Sequence, residues 1–274
     1  MSGLRLLRPV VRTLIAAALL GAVGSIGAAA AVAAPSGLGG VNHLISVKGD
    51  TADSLNWAGY AVTPGSGITA VSGTFTVPTA GELPPGFSAS WAGIGGYSTS
   101  DLIQAGVSEN SALGGEVLGG GQYSAWYEIL PASETPISGC TGAVPSCAVN
   151  PGDKISVDIS NAGGDNWDIS LTDAGNWSWS TTVSYDSSES SAEWIQEAPS
   201  LDGVQTIPAD VGNVSFGPTS SFTEGGSTQT IAEGSPTLID ESPVGEVNEA
   251  TTSPLASDGQ SFDVCVYAQS CAAP

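Results

Sequence analysis

Short runs of alternating apolar and polar residues recur along most of the chain, separated by clusters of Gly, Pro, Asn and Asp. A period of two is typical of β-strands, and no long helical periodicity follows residue 34. The 37 Gly and 17 Pro residues supply the turns that many short strands require. We predict an all-β fold, a single two-sheet antiparallel β-sandwich of the jelly-roll or concanavalin-like type. The predicted strands include 71–77, 88–94, 102–107, 123–130, 154–160, 166–171, 176–185, 211–216, 228–232 and 262–268, with 233–260 as an acidic surface excursion.

The N-terminal residues 1–33 have the pattern of a secretory signal peptide. A basic region with three arginines precedes an apolar stretch at 14–26, and small residues at 31–33 fit a cleavage site. A retained membrane anchor is the alternative, since the apolar stretch approaches the length that a bilayer needs. We expect cleavage and a secreted, extracellular protein. Residues 34–54 would then form a short propeptide or a flexible N-terminal arm, and 55–274 the β-sandwich domain.

The charge of the mature chain would be strongly negative. Once the signal peptide is removed, Lys48 and Lys154 face 27 acidic residues, a net charge of −25 at neutral pH. Nucleic acids and anionic membranes bind clustered Lys and Arg, so we expect neither as a partner. So few cations favour an acidic habitat, where protonation relieves the repulsion among carboxylates. An ordinary acidic secreted protein is the alternative.

The cysteines and the single histidine exclude several kinds of site. Four cysteines in an exported chain favour disulfides, and we expect the pairs Cys140–Cys147 and Cys265–Cys271. No C-x-x-C pair is present, which argues against a cysteine metal site. His43, the only histidine, lies in the N-terminal arm, so neither a Ser-His-Asp triad nor a histidine-rich zinc site is expected. We predict no metal and no cofactor, which leaves carboxylate and carboxamide chemistry.

The segment Ser191–Pro199 places carboxylates within an alternating apolar run. Glu193, Ile195 and Glu197 would face one side of a half-buried strand, and Trp194 the other. A glutamate flanked by Trp and Ile is partly desolvated, which raises its pKa and suits it to proton transfer. The alternative is an ordinary glutamate that faces solvent.

Several motifs occur in an order that resembles one enzyme family. They are Asn56–Tyr60 (NWAGY), Trp91–Tyr97 (WAGIGGY), Leu102–Gly106 (LIQAG), Tyr123–Glu128 (YSAWYE), Pro151–Ile155 (PGDKI) and Ala192–Ile195 (AEWI). Together they resemble the conserved segments of the glutamic peptidases, also called eqolisins, over roughly residues 56–216. Each motif is weak alone, whereas several in the same order are fairly specific.

The resemblance implies a β-sandwich catalytic domain with a Gln–Glu dyad on a concave sheet. By position the dyad is Gln104 and Glu193. The glutamate would act as general base on a water and then as acid toward the leaving amine, while the glutamine amide stabilises the oxyanion. The chain would thus be a secreted acid endopeptidase of the pepstatin-insensitive type, which acts on polypeptides, and we expect a monomer. Glu197, on the same strand face, is the rival to Glu193.

Four further residues are assigned to the substrate site: Trp91, Trp126, Glu128 and Trp194. Core packing is the alternative for the tryptophans, and for Glu128 it is a cleft wall. One position departs from the family pattern, because Gly95 stands where many members carry an acidic residue. The departure leaves open whether a third carboxylate takes part.

Two other functions fit the same pattern. A carbohydrate-binding or glycoside-cleaving jelly roll also lines a concave sheet with tryptophans, and Glu128 with Glu193 could serve as its acid and base. A non-catalytic adhesion module on the cell surface is the other. Gln104 within hydrogen-bond reach of Glu193 would favour the peptidase. A carboxyl–carboxyl separation in the glycosidase range, without Gln104 beside Glu193, would favour sugar chemistry.

Overall fold

The computed structural model describes residues 44–118, 122–201, 203–243 and 247–274. The predicted signal peptide lies outside these residues. The described chain forms the strands β1 Leu44–Lys48, β2 Thr51–Ser54, β3 Trp57–Val62, β4 Ile68–Thr76, β5 Ala89–Gly95, β6 Leu102–Glu109, β7 Tyr123–Ile129, β8 Thr135–Pro136, β9 Thr141–Gly142, β10 Lys154–Gly163, β11 Asn166–Asp173, β12 Trp177–Ser184, β13 Ala192–Glu197, β14 Ser200–Leu201, β15 Val204–Gln205, β16 Asn213–Phe216, β17 Ser221–Glu224, β18 Ser227–Thr230, β19 Thr237–Glu241, β20 Ala250–Thr252 and β21 Phe262–Val266. Helix α1 spans Ala112–Leu118, and a short 3₁₀ helix spans Ile231–Gly234.

The strands form two antiparallel layers, which confirms the all-β sandwich. The first layer has the order β19–β3–β13–β5–β6–β7–β8. The second has the order β18–β17–β4–β10–β11–β12–β9. Strands β16, β21 and β20 connect the layers at one side, since β16 meets β4 and β20 meets β19. Strand β13 is thus central in the first layer.

The main core lies between the two layers. Trp194 and Ile103 enter it from the first layer, and Phe75, Ile155 and Trp167 enter it from the second. All five are almost completely buried. The alternation read in the sequence produces this core, because every second residue of a strand points to the same side.

The first layer is also buried on its other face. A second apolar cluster there includes Trp57, Trp91, Trp126 and Ile195. Every residue of β5 and β6 is buried, and β13 is buried up to Gln196. The prediction of a half-buried β13 is therefore wrong, because both of its faces are covered.

The surface excursion predicted at 233–260 is also wrong in part. Strand β19 lies in this segment and pairs with β3, while β20 pairs with β19 and β21. Ile239 and Ala250 are completely buried. Acidic residues within these short strands, such as Glu241, hid the pattern because their side chains are also buried.

Both expected disulfides form, Cys140–Cys147 and Cys265–Cys271. Residues 44–54 of the predicted arm form β1 and β2, and β2 runs parallel to β19. Whether this segment is a propeptide stays a prediction. In the described part of the chain, no helix has the length and apolar character needed to cross a membrane.

Candidate active site

A row of residues crosses the first layer perpendicular to its strands. Glu193 on β13 pairs with Gly93 on β5, Gly93 with Gln104 on β6, and Gln104 with Glu128 on β7. Directly paired residues of antiparallel strands point to the same face, so all four share the face opposite the main core. Glu193 and Gln104 are two strand spacings apart, about 10 Å between their Cα atoms. The structure therefore places both predicted dyad residues on one face.

Gly93 keeps the space between Glu193 and Gln104 free of a side chain. A Cβ atom at this position would lie 3.1 Å from the Cβ of Gln104 and 3.0 Å from the carbonyl oxygen of Ile103, which is tighter than normal packing. Any side chain at this position would therefore crowd Gln104, and the glycine leaves Gln104 as the next side chain from Glu193 along the row.

Glu193 is completely buried. Neither carboxylate oxygen has a hydrogen bond of normal geometry to another described group. Burial, and to a smaller extent the charge of Asp101, raise its pKa well above 4.5, although the Ser191 hydroxyl and the Tyr97 backbone N–H oppose this. A carboxyl group in such a place exchanges its proton readily, as a general acid or base must.

Gln104 is hydrogen-bonded to Glu128, its neighbour in the row on the side away from Glu193. Its Nε2 donates a hydrogen bond of 2.6 Å to Oε2 of Glu128. Its Oε1 is buried and has no partner among the described residues. Burial raises the pKa of Glu128, while the hydrogen bonds from Gln104 and from the backbone of Glu134 lower it.

The charge of Glu128 raises the pKa values of two more carboxyl groups, which are half-buried by exposed area. Burial, followed by the charges of Glu128 and Glu197, raises the pKa of Glu134 to about 8. Burial and the charge of Glu128 raise that of Glu197 to about 7, against hydrogen bonds that include the Asn56 amide and the Trp91 indole, each 2.8 Å long. No sequence pattern selects Glu134, because it lies in the turn after β7, outside any predicted strand.

Asp101 is the second residue that the sequence reasoning missed. Gly95 has a φ of +87°, and a Cβ there would lie 3.0 Å from Oδ2 of Asp101. The Ser188 backbone N–H donates a 2.6 Å hydrogen bond to the same oxygen. Despite partial burial, hydrogen bonds from Ser188 and Thr99 hold the pKa of Asp101 below its ordinary value. An ionised carboxylate thus lies where a side chain at Gly95 would begin.

The residues assigned to the substrate site divide between the two faces of the layer. Trp91, Trp126 and Glu128 share the face of Glu193, since Trp91 pairs with Ile195 and Trp126 lies two strands further on, opposite Gly106. Trp194 lies on the opposite face, in the main core, where its indole N–H donates a 2.7 Å hydrogen bond to the Ser72 carbonyl. We therefore reassign Trp194 to core packing.

The other two tryptophans differ in their polar contacts. Trp91 is completely buried and packs edge to face against Trp57, with 4.9 Å between ring centroids. The Nε1 of Trp126 has no partner among the described residues. Within the described ranges, no group of three or more His, Cys, Asp or Glu side chains is arranged to hold a metal ion.

The fold and this buried carboxylate–carboxamide row define a β-sandwich hydrolase candidate, and comparisons with known proteins identify its family. The family model of the Peptidase A4 family matches residues 55–264. The match covers well over half of the chain, so the chain belongs to the Peptidase A4 family. The predicted resemblance to the eqolisins is confirmed, and the family supports a peptidase function.

Two similar solved structures agree on the fold. Scytalido-glutamic peptidase with a transition state analog inhibitor is 20% identical, with a TM-score of 0.60 over 77% of this chain and 98% of that chain. SCP-B, a member of the eqolisin family in a complex with the tripeptide Ala-Ile-His, is 19% identical, with a TM-score of 0.58 over the same shares. A search of curated protein sequences finds no match.

Proposed function

We propose that this protein is a secreted acid endopeptidase that hydrolyses peptide bonds with Glu193 and Gln104. The observation that supports this best is the row Glu193–Gly93–Gln104 on one face of the first layer. It brings together a base and an amide with only a glycine between them. The carbohydrate alternative is not carried forward, because the family is one of peptidases and Gln104 lies between Glu128 and Glu193.

The proposed reaction needs only water and these two side chains. The Glu193 carboxylate takes a proton from a water whose oxygen bonds to the scissile carbonyl carbon. The carbonyl oxygen becomes an oxyanion, and the Gln104 amide N–H stabilises it. Protonated Glu193 then gives its proton to the amine nitrogen as the C–N bond breaks. A carboxylic acid and an amine leave, and Glu193 is again a carboxylate.

The surroundings favour work in acid. The base must be ionised, and burial raises the pKa of Glu193 well above 4.5, so the acid limb of the rate should lie at higher pH than for an ordinary glutamate. Groups that must stay neutral determine where the rate declines toward higher pH. The raised pKa values of Glu128, Glu134 and Glu197 keep these carboxyl groups neutral in acid. Trp91 and Trp126 form apolar walls beside the row, as a polypeptide substrate requires.

The test is hydrolysis of a denatured protein by the secreted chain at acid pH. The wild type should cleave it, and Glu193→Gln should lose about 10²–10⁴-fold in turnover while the fold persists. Glu197→Gln is the matched control, because it also removes one carboxylate from the same strand face and should be mild. If Glu197→Gln were inactive and Glu193→Gln active, the assignment would be reversed.

Inhibitors provide an independent check of the reaction type. Cleavage should persist with a chelator and with serine- and cysteine-directed reagents, since the proposed steps use neither a metal nor a covalent nucleophile. It should also persist with pepstatin, because no aspartate pair is proposed to share a proton. Inhibition by any of these would contradict the proposed steps.

A further inference from the structure

The hydrogen bond between Gln104 and Glu128 fixes the direction of an asymmetric group. One end of a primary amide only donates hydrogen bonds and the other only accepts them. In the structure the donating end, Nε2, contacts Oε2 of Glu128 at 2.6 Å. The accepting end, Oε1, is buried without a partner among the described residues, on a side chain that is only 4% exposed.

The row decides where the free end lies. Glu128 and Gly93 are the direct neighbours of Gln104 on its two sides, and Glu193 follows beyond Gly93. An amide that turns its nitrogen toward Glu128 therefore turns its oxygen toward the Glu193 side. An oxygen at that position can accept a hydrogen bond from water, but it repels a developing oxyanion. The amide must turn round to stabilise that charge with both of its N–H groups.

We infer that Glu128 is a positioning residue whose protonation turns the Gln104 amide into its catalytic direction. A neutral Glu128 has an O–H group that donates to Oε1 of Gln104, whereas an ionised Glu128 can only accept from Nε2. A half-turn of the amide plane exchanges oxygen and nitrogen with little change in shape. The inference rests on the proposed function of Gln104 and gives that function a pH switch.

Two acidic groups near Glu128 have pKa values that its charge raises, so they stay neutral while Glu128 ionises. Glu134 approaches it from the turn after β7, and Glu197 approaches from β13, while Gln104 contacts it from β6. Like charges this close oppose ionisation of all three carboxyl groups together. Burial acts in the same direction and raises the pKa of Glu128. The neutral form thus dominates in acid, and ionisation on the way to neutral pH turns the amide back.

Glu128→Gln is the direct test of this switch. Its amide stays neutral at every pH and can donate to Oε1 of Gln104, as neutral Glu128 does. We expect acid rates within about threefold of wild type, and a decline of kcat/KM at higher pH that is shifted to more alkaline values. Glu128→Ala should lose roughly 10- to 100-fold in kcat with little change in KM, because Gln104 is no longer held. A Glu128→Gln profile with the wild-type alkaline limb, or with the kcat loss of Glu128→Ala, would overturn the inference.

Two further variants separate the switch from general electrostatics. Glu134→Gln removes a carboxyl group near Glu128 whose pKa of about 8 keeps it neutral while Glu128 ionises. Glu109→Gln removes a buried carboxyl group on the opposite face. Both variants should leave the alkaline limb in place, and a limb that moves in either of them would contradict its assignment to Glu128.

A measurement that does not depend on peptidase activity can test this inference separately from the proposed function. The side-chain amide signals of Gln104 in ¹⁵N NMR, identified by their loss in Gln104→Ala, should change with pH in the wild type. They should not change over the same range in Glu128→Gln. Titration that is unaltered in Glu128→Gln would refute the switch even if Glu193 is essential. A protein without peptidase activity whose Gln104 signals follow Glu128 would refute only the catalytic role.

Discussion

The two faces of strand β13 are equally buried but differ in how their polar groups are paired. On the core face, Trp194 packs between the layers and its indole N–H is bonded to the Ser72 carbonyl. On the other face, both oxygens of Glu193 lack a normal hydrogen bond within the described chain, as do Oε1 of Gln104 and Nε1 of Trp126. The core face also holds such atoms, Oε1 of Glu109 and Nε2 of Gln196, but each of these side chains bonds to the Ser90 hydroxyl through its other polar atom. Most buried polar atoms in proteins are paired, so a carboxyl group with neither oxygen paired needs an explanation. We interpret that face as a ligand site, and the other as structural packing.

A buried carboxyl group alone does not distinguish the faces. Glu109 of β6 lies on the core side and is as buried as Glu193. It differs because the Ser90 hydroxyl lies 3.1 Å from its Oε2 and 2.6 Å from Oε1 of Gln196. That local network gives Glu109 a structural partner, so Glu109 and Gln196 are natural controls for Glu193 and Gln104.

The largest expected difference between the faces concerns the two glutamines. Gln104→Ala should reduce kcat by about 10²–10³-fold, as the loss of one oxyanion donor does. Gln196→Ala should instead lower the free energy of unfolding, since the buried Ser90 hydroxyl loses the nearer of its two acceptors. Steady-state rates and urea unfolding of both variants measure this. Equal losses of kcat in the two variants would remove the distinction between the faces.

The next effect is a pH-dependent stability carried by the core face. Burial raises the pKa of Glu109 from 4.5 to about 8 in the folded chain, although the Ser90 and Gln196 side chains oppose this. Below pH 4.5 both states hold the proton; between 4.5 and 8 only the folded state does, so stability should fall as the pH rises. The expected loss is on the order of a few kcal/mol.

Glu109→Gln should flatten that slope, because its side chain stays neutral. Urea unfolding between pH 4 and 8, about the range over which the group titrates, measures the difference. Buried Glu193 and Glu241 keep some slope in the variant, since the pKa of each is also raised well above 4.5. An unchanged slope would show that Glu109 is not neutral in the fold.

A smaller effect should distinguish the two tryptophans. Trp194→Phe leaves the half-buried Ser72 carbonyl without its indole donor, whereas Trp126→Phe removes an N–H that has no partner among the described residues. Trp194→Phe should therefore cost about 1–2 kcal/mol more stability than Trp126→Phe. Denaturant midpoints at acid pH give the comparison. Equal costs would mean that the Trp126 N–H is paired in the folded protein.

The smallest effect is a shift of the acid limb of the rate profile. Asp101 raises the pKa of Glu193 through its charge, so Asp101→Asn should lower that pKa. Glu193 would then stay ionised to lower pH, and the acid limb of kcat/KM should move to lower pH. A profile that moves in the opposite direction would contradict the assignment of this limb to Glu193.

The alternation of residues was enough to predict the strands and the faces of β13. It placed Glu193 with Glu197 and opposite Trp194, as the structure does. It did not predict that the Glu193 face is covered too, because a period of two is also compatible with a solvent-facing side. The same alternation places Trp194 on the face opposite Glu193, so it did not support assigning Trp194 to the substrate site. That assignment was based on the proximity of Trp194 to Glu193 in the sequence.

The pairing of strands could not be read from one sequence. Glu134 and Asp101 lie in turns, and their contacts with Glu128 and Glu193 depend on which strands are neighbours in the sheet. Residues distant in sequence meet there without any local pattern. The motifs of the family gave Gln104 and Glu193, but the bond from Gln104 to Glu128 is visible only in the structure.

The most direct test of the account is the rate of peptide cleavage from strongly acid to neutral pH, with folding followed by circular dichroism on the same samples. We predict a maximum in acid and a decline toward neutral pH that begins while the circular dichroism signal is still that of the folded protein. Glu193→Gln should show no such maximum. A rate maximum at neutral pH, or full acid activity in Glu193→Gln, would contradict the assignment of this face as an acid-active site.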